Sequence, residues 1–231
     1  MRTRSWYSDI IHTLYPDLCV SCEQQEPLLD LPYCLECREE ISWILTGENA
    51  QAALIGKPYF PKDISSFDSL LYFTKKSRAQ RLIQAIKYKG RRDVAQHLGA
   101  LLGGRFAADQ QYEHGTLVPV PLHPKRYRSR GYNQANQIAK GIQQSCSHLG
   151  RTPELLVRKV YESSQTKLSR MERSAVLRSS FGVNHEYVNP SDHAIIVDDV
   201  ITTGSTIAAC AAVLRESGYR RISILSVAIS I

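Results

Sequence analysis

From Phe67 onward, short apolar runs alternate with longer stretches whose apolar residues recur every three or four positions. Phe67–Phe73 reads as a strand. Ser77–Lys89 follows with Leu82, Ile83 and Ile86 on one side, the spacing of an amphipathic helix. A second helix is predicted over Asp93–Leu102. Leu117–Leu122 is a short apolar run with two prolines, then comes a basic loop, then a helix over residues 133–146. Its apolar face, Ala135, Ile138 and Ile142, extends to Cys146. Ala194–Val197 is apolar without interruption, the composition of a strand buried on both faces. It precedes a helix over 205–217, with Ile207, Cys210 and Leu214 in one stripe, and a last strand at 222–229. Cys146 and Cys210 therefore read as buried packing residues. Strands alternating with helices predict an α/β domain with a parallel sheet.

The first 62 residues lack this rhythm. Residues 1–45 hold two cysteine pairs, and residues 46–66 are rich in turn-formers, as a linker is. We divide the chain into a small module with its linker, 1–62, and a larger domain, 63–231. Charge divides at the same place. The segment 1–62 carries five Lys/Arg and nine Asp/Glu, a net of −4, so the larger domain carries +11 and the whole chain +7. A basic domain suits a polyanionic ligand such as a phosphorylated sugar or nucleic acid. No apolar run reaches the ~20 residues of a membrane span. The first residues also lack the apolar stretch of a signal peptide. A cytoplasmic protein is expected.

The cysteine pairs are Cys19-x-x-Cys22 and Cys34-x-x-Cys37. Two such knuckles supply four thiolates for tetrahedral zinc. Disulfides are the alternative, but they are rare in the cytosol. So small a module also has too little core to fold unaided, which favours a metal. With all four positions filled, the zinc would be structural.

The strongest local signal is Ala194-Ile195-Ile196-Val197-Asp198-Asp199-Val200-Ile201-Thr202-Thr203-Gly204-Ser205-Thr206. A buried strand ends in two carboxylates, and a hydroxyl-rich loop opens a helix. In a parallel sheet, ligands bind outside the carboxyl ends of the strands. Backbone N–H groups at the helix start, with the hydroxyls of Thr202, Thr203, Ser205 and Thr206, make a cradle for one phosphate. Gly204 lets the backbone come close to the ligand. Asp198 and Asp199 suit ribose hydroxyls or a divalent cation, which takes oxygen ligands. A helix cap accounts for one hydroxyl and leaves the aspartates unexplained. A Walker B strand would need a Walker A loop, and the chain has none.

Between Val118 and Arg130, Pro119, Pro121 and Pro124 stiffen a turn that could offer N–H groups to a diphosphate. Lys125, Arg126, Arg128 and Arg130 crowd behind it. They could neutralise a departing pyrophosphate, follow a nucleic-acid backbone, or simply face water. On the helix at 77–89, Arg81, Gln84 and Tyr88 lie opposite the apolar stripe, with Lys87 and Lys89 nearby. That mixture of basic and aromatic residues suits single strands. His123 and His193 read as structural or surface residues.

The 194–206 segment resembles the signature loop of type I phosphoribosyltransferases. The resemblance implies that the acidic pair contacts the ribose of phosphoribosyl diphosphate, with Mg2+, and that the loop holds its 5′-phosphate. Further stretches resemble the ComF family: Ile86-Lys87-Tyr88-Lys89-Gly90, Val118-Pro119-Val120-Pro121-Leu122-His123-Pro124 and Arg130-Gly131-Tyr132-Asn133-Gln134. Arg158, Gln165-Thr166-x-Leu168, Arg173 and Phe181-Gly182 follow in order. The N-terminal zinc ribbon belongs to the same pattern. Two positions depart from it, Glu162 and Val176. The resemblance implies a type I phosphoribosyltransferase-like domain behind a small zinc-ribbon module with four cysteine ligands. It also implies transfer of phosphoribosyl to an unknown nucleophile with release of pyrophosphate, and a link to DNA uptake during competence. The rival is a non-catalytic sensor of phosphoribosyl diphosphate or a nucleotide that binds single-stranded DNA. A salvage enzyme without a DNA role is a third possibility. Expected partners are phosphoribosyl diphosphate, single-stranded DNA and DNA-uptake proteins.

Overall fold

The structure, a computed structural model, describes residues 16–45, 53–54, 57–107, 112, 114–159, 179–189 and 193–231. Glu162, Gln165, Thr166, Leu168, Arg173 and Val176 lie outside these residues. Along the chain come α1 (Leu35–Glu40), β1 (Ser66–Phe73), α2 (Arg78–Tyr88), α3 (Arg92–Gly104) and β2 (Gly115–Pro119). Then follow α4 (Pro124–Arg130), α5 (Gln134–Ser145), β3 (Gly150–Arg151), β4 (Leu156–Arg158) and β5 (Phe181–Val183). The last three are β6 (His193–Ile201), α6 (Ser205–Glu216) and β7 (Ile222–Ser230). Strands β1, β7, β6, β2 and β3, in that spatial order, form one sheet with every pairing parallel. Strands β4 and β5 pair separately and antiparallel. The α/β parallel sheet expected from the alternation is present.

Side chains of a strand leave alternately to its two faces. In β6, Ile195 and Val197 enter a core with α2, α3 and α5. Ala194 and Ile196 enter a second core with Ile207, Cys210 and Leu214 of α6. Both faces are thus covered, which is why the run 194–197 holds no polar residue. His193 is buried, with Nε2 2.7 Å from Ser223 Oγ.

The helix starts follow local chemistry. Ser77 Oγ accepts from Gln80 N at the start of α2 (3.2 Å), and Asn133 Oδ1 accepts from Ala135 N at the start of α5 (3.0 Å). The stretch expected as a basic loop is instead α4. Pro124 occupies its first turn, His123 Nδ1 accepts from Lys125 N (3.2 Å), and Gly131, left-handed at φ 73°, ends it.

Helices α3 and α5 pack backbone to backbone. A Cβ placed on Gly99 would lie 2.2 Å from Ile138 O, and one on Gly141 would lie 2.0 Å from Gln96 O. Bonds from Gln96 to Gln137 (2.8 Å) and from Cys146 Sγ to Gly103 O (3.0 Å) accompany the packing. Cys146 and Cys210 are both buried, as their stripes predict.

The cysteine segment sits against α2, α3 and β1. Arg81 donates to Ser21 O (2.9 Å), Tyr33 OH meets His97 Nε2 (3.2 Å), and Lys89 pairs with Glu23. Ile44 N donates to Leu70 O (3.0 Å) and Tyr72 N to Ser42 O (2.8 Å), which covers the outer edge of β1. Arg81 and Lys89 are therefore engaged with this segment, and the basic face read into α2 is divided. The described part of the linker is packed too: Phe60 meets Phe67 edge-on at 5.4 Å, and Ile64 is half-buried. Among the described residues, no helix is long and apolar enough to cross a membrane.

Candidate functional site

The carboxyl end of β6 departs from expectation in one respect. The strand does not end at Val197 but continues to Ile201, so Asp198 and Asp199 lie within it. Consecutive strand residues point to opposite faces, and the pair is accordingly split. Asp199, on the side of Ile195 and Val197, is 8% exposed and its Oδ1 lies 3.0 Å from Lys87 Nζ of α2. Asp198, on the other side, accepts from Asp199 N at 2.8 Å. Burial and the neighbouring Asp199 push its carboxyl up to about 7, against that N–H bond and the charges of Lys87 and Arg158. Of the two carboxylates, Asp199 is thus ion-paired with Lys87, while Asp198 is held well above the usual carboxylate range.

Thr202 and Thr203 follow β6 as a buried-strand exit into solvent, Thr203 exposed, and Gly204 opens α6 in the left-handed region at φ 83°. Thr203 Oγ1 and Ser205 Oγ are 3.0 Å apart, while Ser205 and Thr206 are half-buried. Asp198 and residues 200–207 line a cup of about 30 Å³. That exceeds the ~10–15 Å³ that one water requires. The space left by the missing Cβ of Gly204 is filled by Phe60, whose Cα and N would lie 2.9 Å from a Cβ there. Glycine here serves the close approach of the linker as well as the turn. Lys57 bonds to Ser230 Oγ (2.9 Å), which in turn reaches Thr202 O (3.4 Å), so linker and hydroxyl loop are tied at two points.

A cleft of about 270 Å³ adjoins the cup. Both aspartates, Thr202 and Thr206 line it, together with Lys87, Arg126, Arg130 and Arg158. Of the four basic residues expected together, the helical form of 124–130 turns Arg126 and Arg130, four apart, toward the cleft. Lys125 and Arg128 lie elsewhere on α4, exposed. The turn before α4 offers less to an anion than expected. Its three prolines have no N–H, and Val120 N is used by Val197 O (2.9 Å). Asn133 Nδ2 donates to Val120 O (2.9 Å), and Tyr132 OH to Ile86 O. The Arg130–Gln134 stretch thereby fixes the turn and the end of α2.

Lys87 and Arg158 are functional candidates that residue-by-residue reading left out of the site. The signal for Lys87 was its spacing: it lies one turn beyond Ile83, which also lines the cleft. Arg158 stacks over Phe181 (5.0 Å), and burial lowers its pKa, which is a cost that an anion in the cleft would relieve.

In the N-terminal segment, Cys19, Cys22, Cys34 and Cys37 bring four sulfurs within 4.8 Å of one another, with Cys22 and Cys34 at 3.9 Å. Tetrahedral zinc with ~2.3 Å bonds spaces its sulfurs by ~3.8 Å. Ser21 N and Cys22 N donate to Cys19 Sγ (3.4 and 3.5 Å). Burial opposes ionisation of Cys22, but N–H groups of Gln25 and Gln24 together with the Cys19 and Cys37 thiols bring it down to about 6, while burial pushes Cys34 and Cys37 up. Four close cysteines of this kind can hold one structural zinc. A larger groove, about 700 Å³, lies between this segment and α3. Its charged lining includes Arg91 and Asp93, already paired at 2.6 Å, and it shares no residue with the cleft.

No protein-family model matches the chain. Among characterised proteins, Competence protein F of Haemophilus influenzae is 25% identical over 226 residues, 94% of this chain and 93% of that protein. DNA utilization protein YhgH of Escherichia coli is 30% identical over 62% of this chain and 63% of its own length. Competence protein ComFC of Bacillus subtilis is 24% identical over 63% of this chain and 57% of its own. A solved structure of the allosteric regulatory enzyme of purine biosynthesis superposes with a TM-score of 0.42 and 18% identity, over 62% of this chain and 30% of that one.

Proposed function

Taking the chain as ComF/ComFC-like on the strength of these relatives, we propose that it is a cytoplasmic phosphoribosyltransferase serving DNA uptake or use. In this reading residues 63–231 bind phosphoribosyl diphosphate and residues 1–62 form the zinc module and linker. The observation that carries the proposal is the junction at the end of β6. Two carboxylates, a hydroxyl loop at a helix start and a cluster of cations meet around one cleft. Asp198 and Asp199 accept from the ribose hydroxyls, and Thr202–Thr206 hold the 5′-phosphate. Arg126, Arg130 and Arg158 face the diphosphate. The carboxylates are the hard oxygen donors that Mg2+ requires, and when bound the ion would add positive charge at the diphosphate. The bond from C1 to the diphosphate breaks, an incoming nucleophile bonds to C1, and pyrophosphate leaves with the electron pair. The chain's part is to orient the ribose and stabilise the departing charge.

Asp198→Asn tests the assignment. It keeps the side chain's shape but removes the charge that orders the ribose. A charge-assisted hydrogen bond contributes ~1.5–3 kcal/mol, so calorimetry with Mg2+ should show affinity reduced about ten- to a hundredfold. Equal binding by wild type and variant would refute it. The ribose interaction needs Asp198 ionised, so wild-type affinity should fall as pH drops through about 7, with proton uptake by the free site. The sign for folding is the opposite. A carboxyl raised above its unfolded value favours the ligand-free fold at low pH, and this contribution is lost as pH rises toward 7. Pyrophosphate released only on adding a nucleobase or another nucleophile would establish turnover.

A second reading, a sensor that binds single-stranded DNA, draws on Tyr88 and Tyr127. They are 73% and 52% exposed, and the Arg130 guanidinium lies 5.2 Å from the Tyr88 ring centre. Exposed rings among cations suit base stacking. Reversing the charge of Arg126 and Arg130 should then flatten the salt dependence of DNA binding by ~0.7 in log–log slope for each phosphate no longer neutralised. Binding undetectable at low salt would remove this reading.

A further inference from the structure

We propose that Lys87 is a specificity-determining residue: it holds Asp199 until a ligand arrives and then passes to the ligand's diphosphate, so that the site selects sugars bearing diphosphate at C1. The assignment rests on the phosphosugar reading of the cleft given above.

The geometry has three parts. Lys87 Nζ lies 3.0 Å from Asp199 Oδ1, with the two side chains 24% and 11% exposed, so the ammonium occupies the place where a ribose hydroxyl would donate. The backbone beneath it is fixed. Tyr132 OH donates to Ile86 O, and Lys89 N and Arg91 N both donate to Ala85 O (3.0 and 3.4 Å). The freedom that remains is in the lysine stem, a flexible four-carbon chain ending in a compact charge. Finally, the same cleft contains Arg126, Arg130 and Arg158, which makes it a surplus of cations around two carboxylates.

The consequence follows from competition for one oxygen. A sugar whose hydroxyls take Asp199 must displace the ammonium, and a half-buried ammonium without an anion is unfavourable. A ligand with a diphosphate at C1 brings the replacement anion with it. Ribose 5-phosphate does not, and must break the pair uncompensated. Lys87 thus opposes ligands lacking the diphosphate and favours those that carry it, which is discrimination by repulsion as well as attraction.

The test compares two ligands on the full chain by calorimetry: phosphoribosyl diphosphate with Mg2+, and ribose 5-phosphate with Mg2+. Lys87→Met should weaken the first about ten- to a hundredfold. It should tighten the second roughly two- to fivefold, the size of a partly exposed ion pair. Lys87→Arg, which keeps the charge, should retain most of the wild-type ratio of affinities. Equal weakening of both ligands by Lys87→Met, no change in either, or loss of the ratio in Lys87→Arg would each overturn the assignment. Wild type that binds neither ligand would overturn the phosphosugar reading itself, and this inference with it. Wild type that binds both while Lys87→Met leaves their ratio intact would overturn only the role of Lys87.

Discussion

Cys34→Ser, or removal of zinc by a strong chelator, is expected to unfold the N-terminal segment. Freshly reduced protein should contain one zinc per chain. The buried apolar residues of the segment are few: Cys19, Val20, Tyr33, Cys34, Cys37, Ile41 and Ile44. Four of its thirty described residues are the clustered cysteines themselves. A core of this size does not offset the ordering of its own backbone. In small peptides, structural zinc contributes an apparent ~10–16 kcal/mol, against ~2–4 for a disulfide. The disruption should spread. Tyr33 stacks edge-on against His97 at 5.7 Å, and Ser42 and Ile44 cover the edge of β1. Hydrogen exchange should therefore quicken in β1 and at His97 as well as around the cysteines. Reduced protein free of zinc, with unchanged unfolding, would refute the metal.

Gly141→Val should destabilise the larger domain by about 3 kcal/mol, because overpacking that must move backbone lies at the upper end of the usual range. The obstacle is the carbonyl of Gln96, 2.0 Å from the new Cβ, and the backbone of Ala100 at 2.9 Å stands behind it. Neither atom can turn away as a side chain would, so α3 and α5 must part. At this chain length the destabilisation corresponds to a fall of roughly 6–12 °C in Tm. Gly104→Ala at the end of α3 is the control, since nothing lies within 4 Å of its Cβ. It should be neutral or gain up to ~1 kcal/mol from helix propensity. Thermal unfolding of the two variants decides the matter: equal effects would mean that the helices are not tightly apposed.

The fold was readable where burial is periodic. Leu82, Ile83 and Ile86 placed α2 correctly, and the unbroken run 194–197 placed a central strand. Two features escaped because their cause is tertiary or their cue is small. The continuation of β6 through Asp198 and Asp199 depends on β7 lying alongside, with Asp198 opposite Ser226, and carboxylates alone argue against a strand. Helix α4 contains no buried residue, so no apolar stripe announced it. Its cues were Pro124 at the start and Gly131 at the end. The residues of the site were legible as chemistry, in the carboxylates and the hydroxyl loop. Their partners were less so. Lys87 joins Asp199 across 112 positions of sequence, which no local pattern encodes.

The strand order also dictates a schedule. The sheet partner of β1 is β7, the last strand, and β2 reaches β1 only through β6 and β7. At ~5–20 residues per second, a ribosome needs roughly 7–30 s to pass from Phe73 to Ile222. Through that interval the nascent chain has the cysteine segment to shelter one side of β1, while its other side waits. The middle of the sheet is therefore installed last, between flanks already made. The two carboxylates and the hydroxyl loop, carried on that late strand, come into being together with the completed fold.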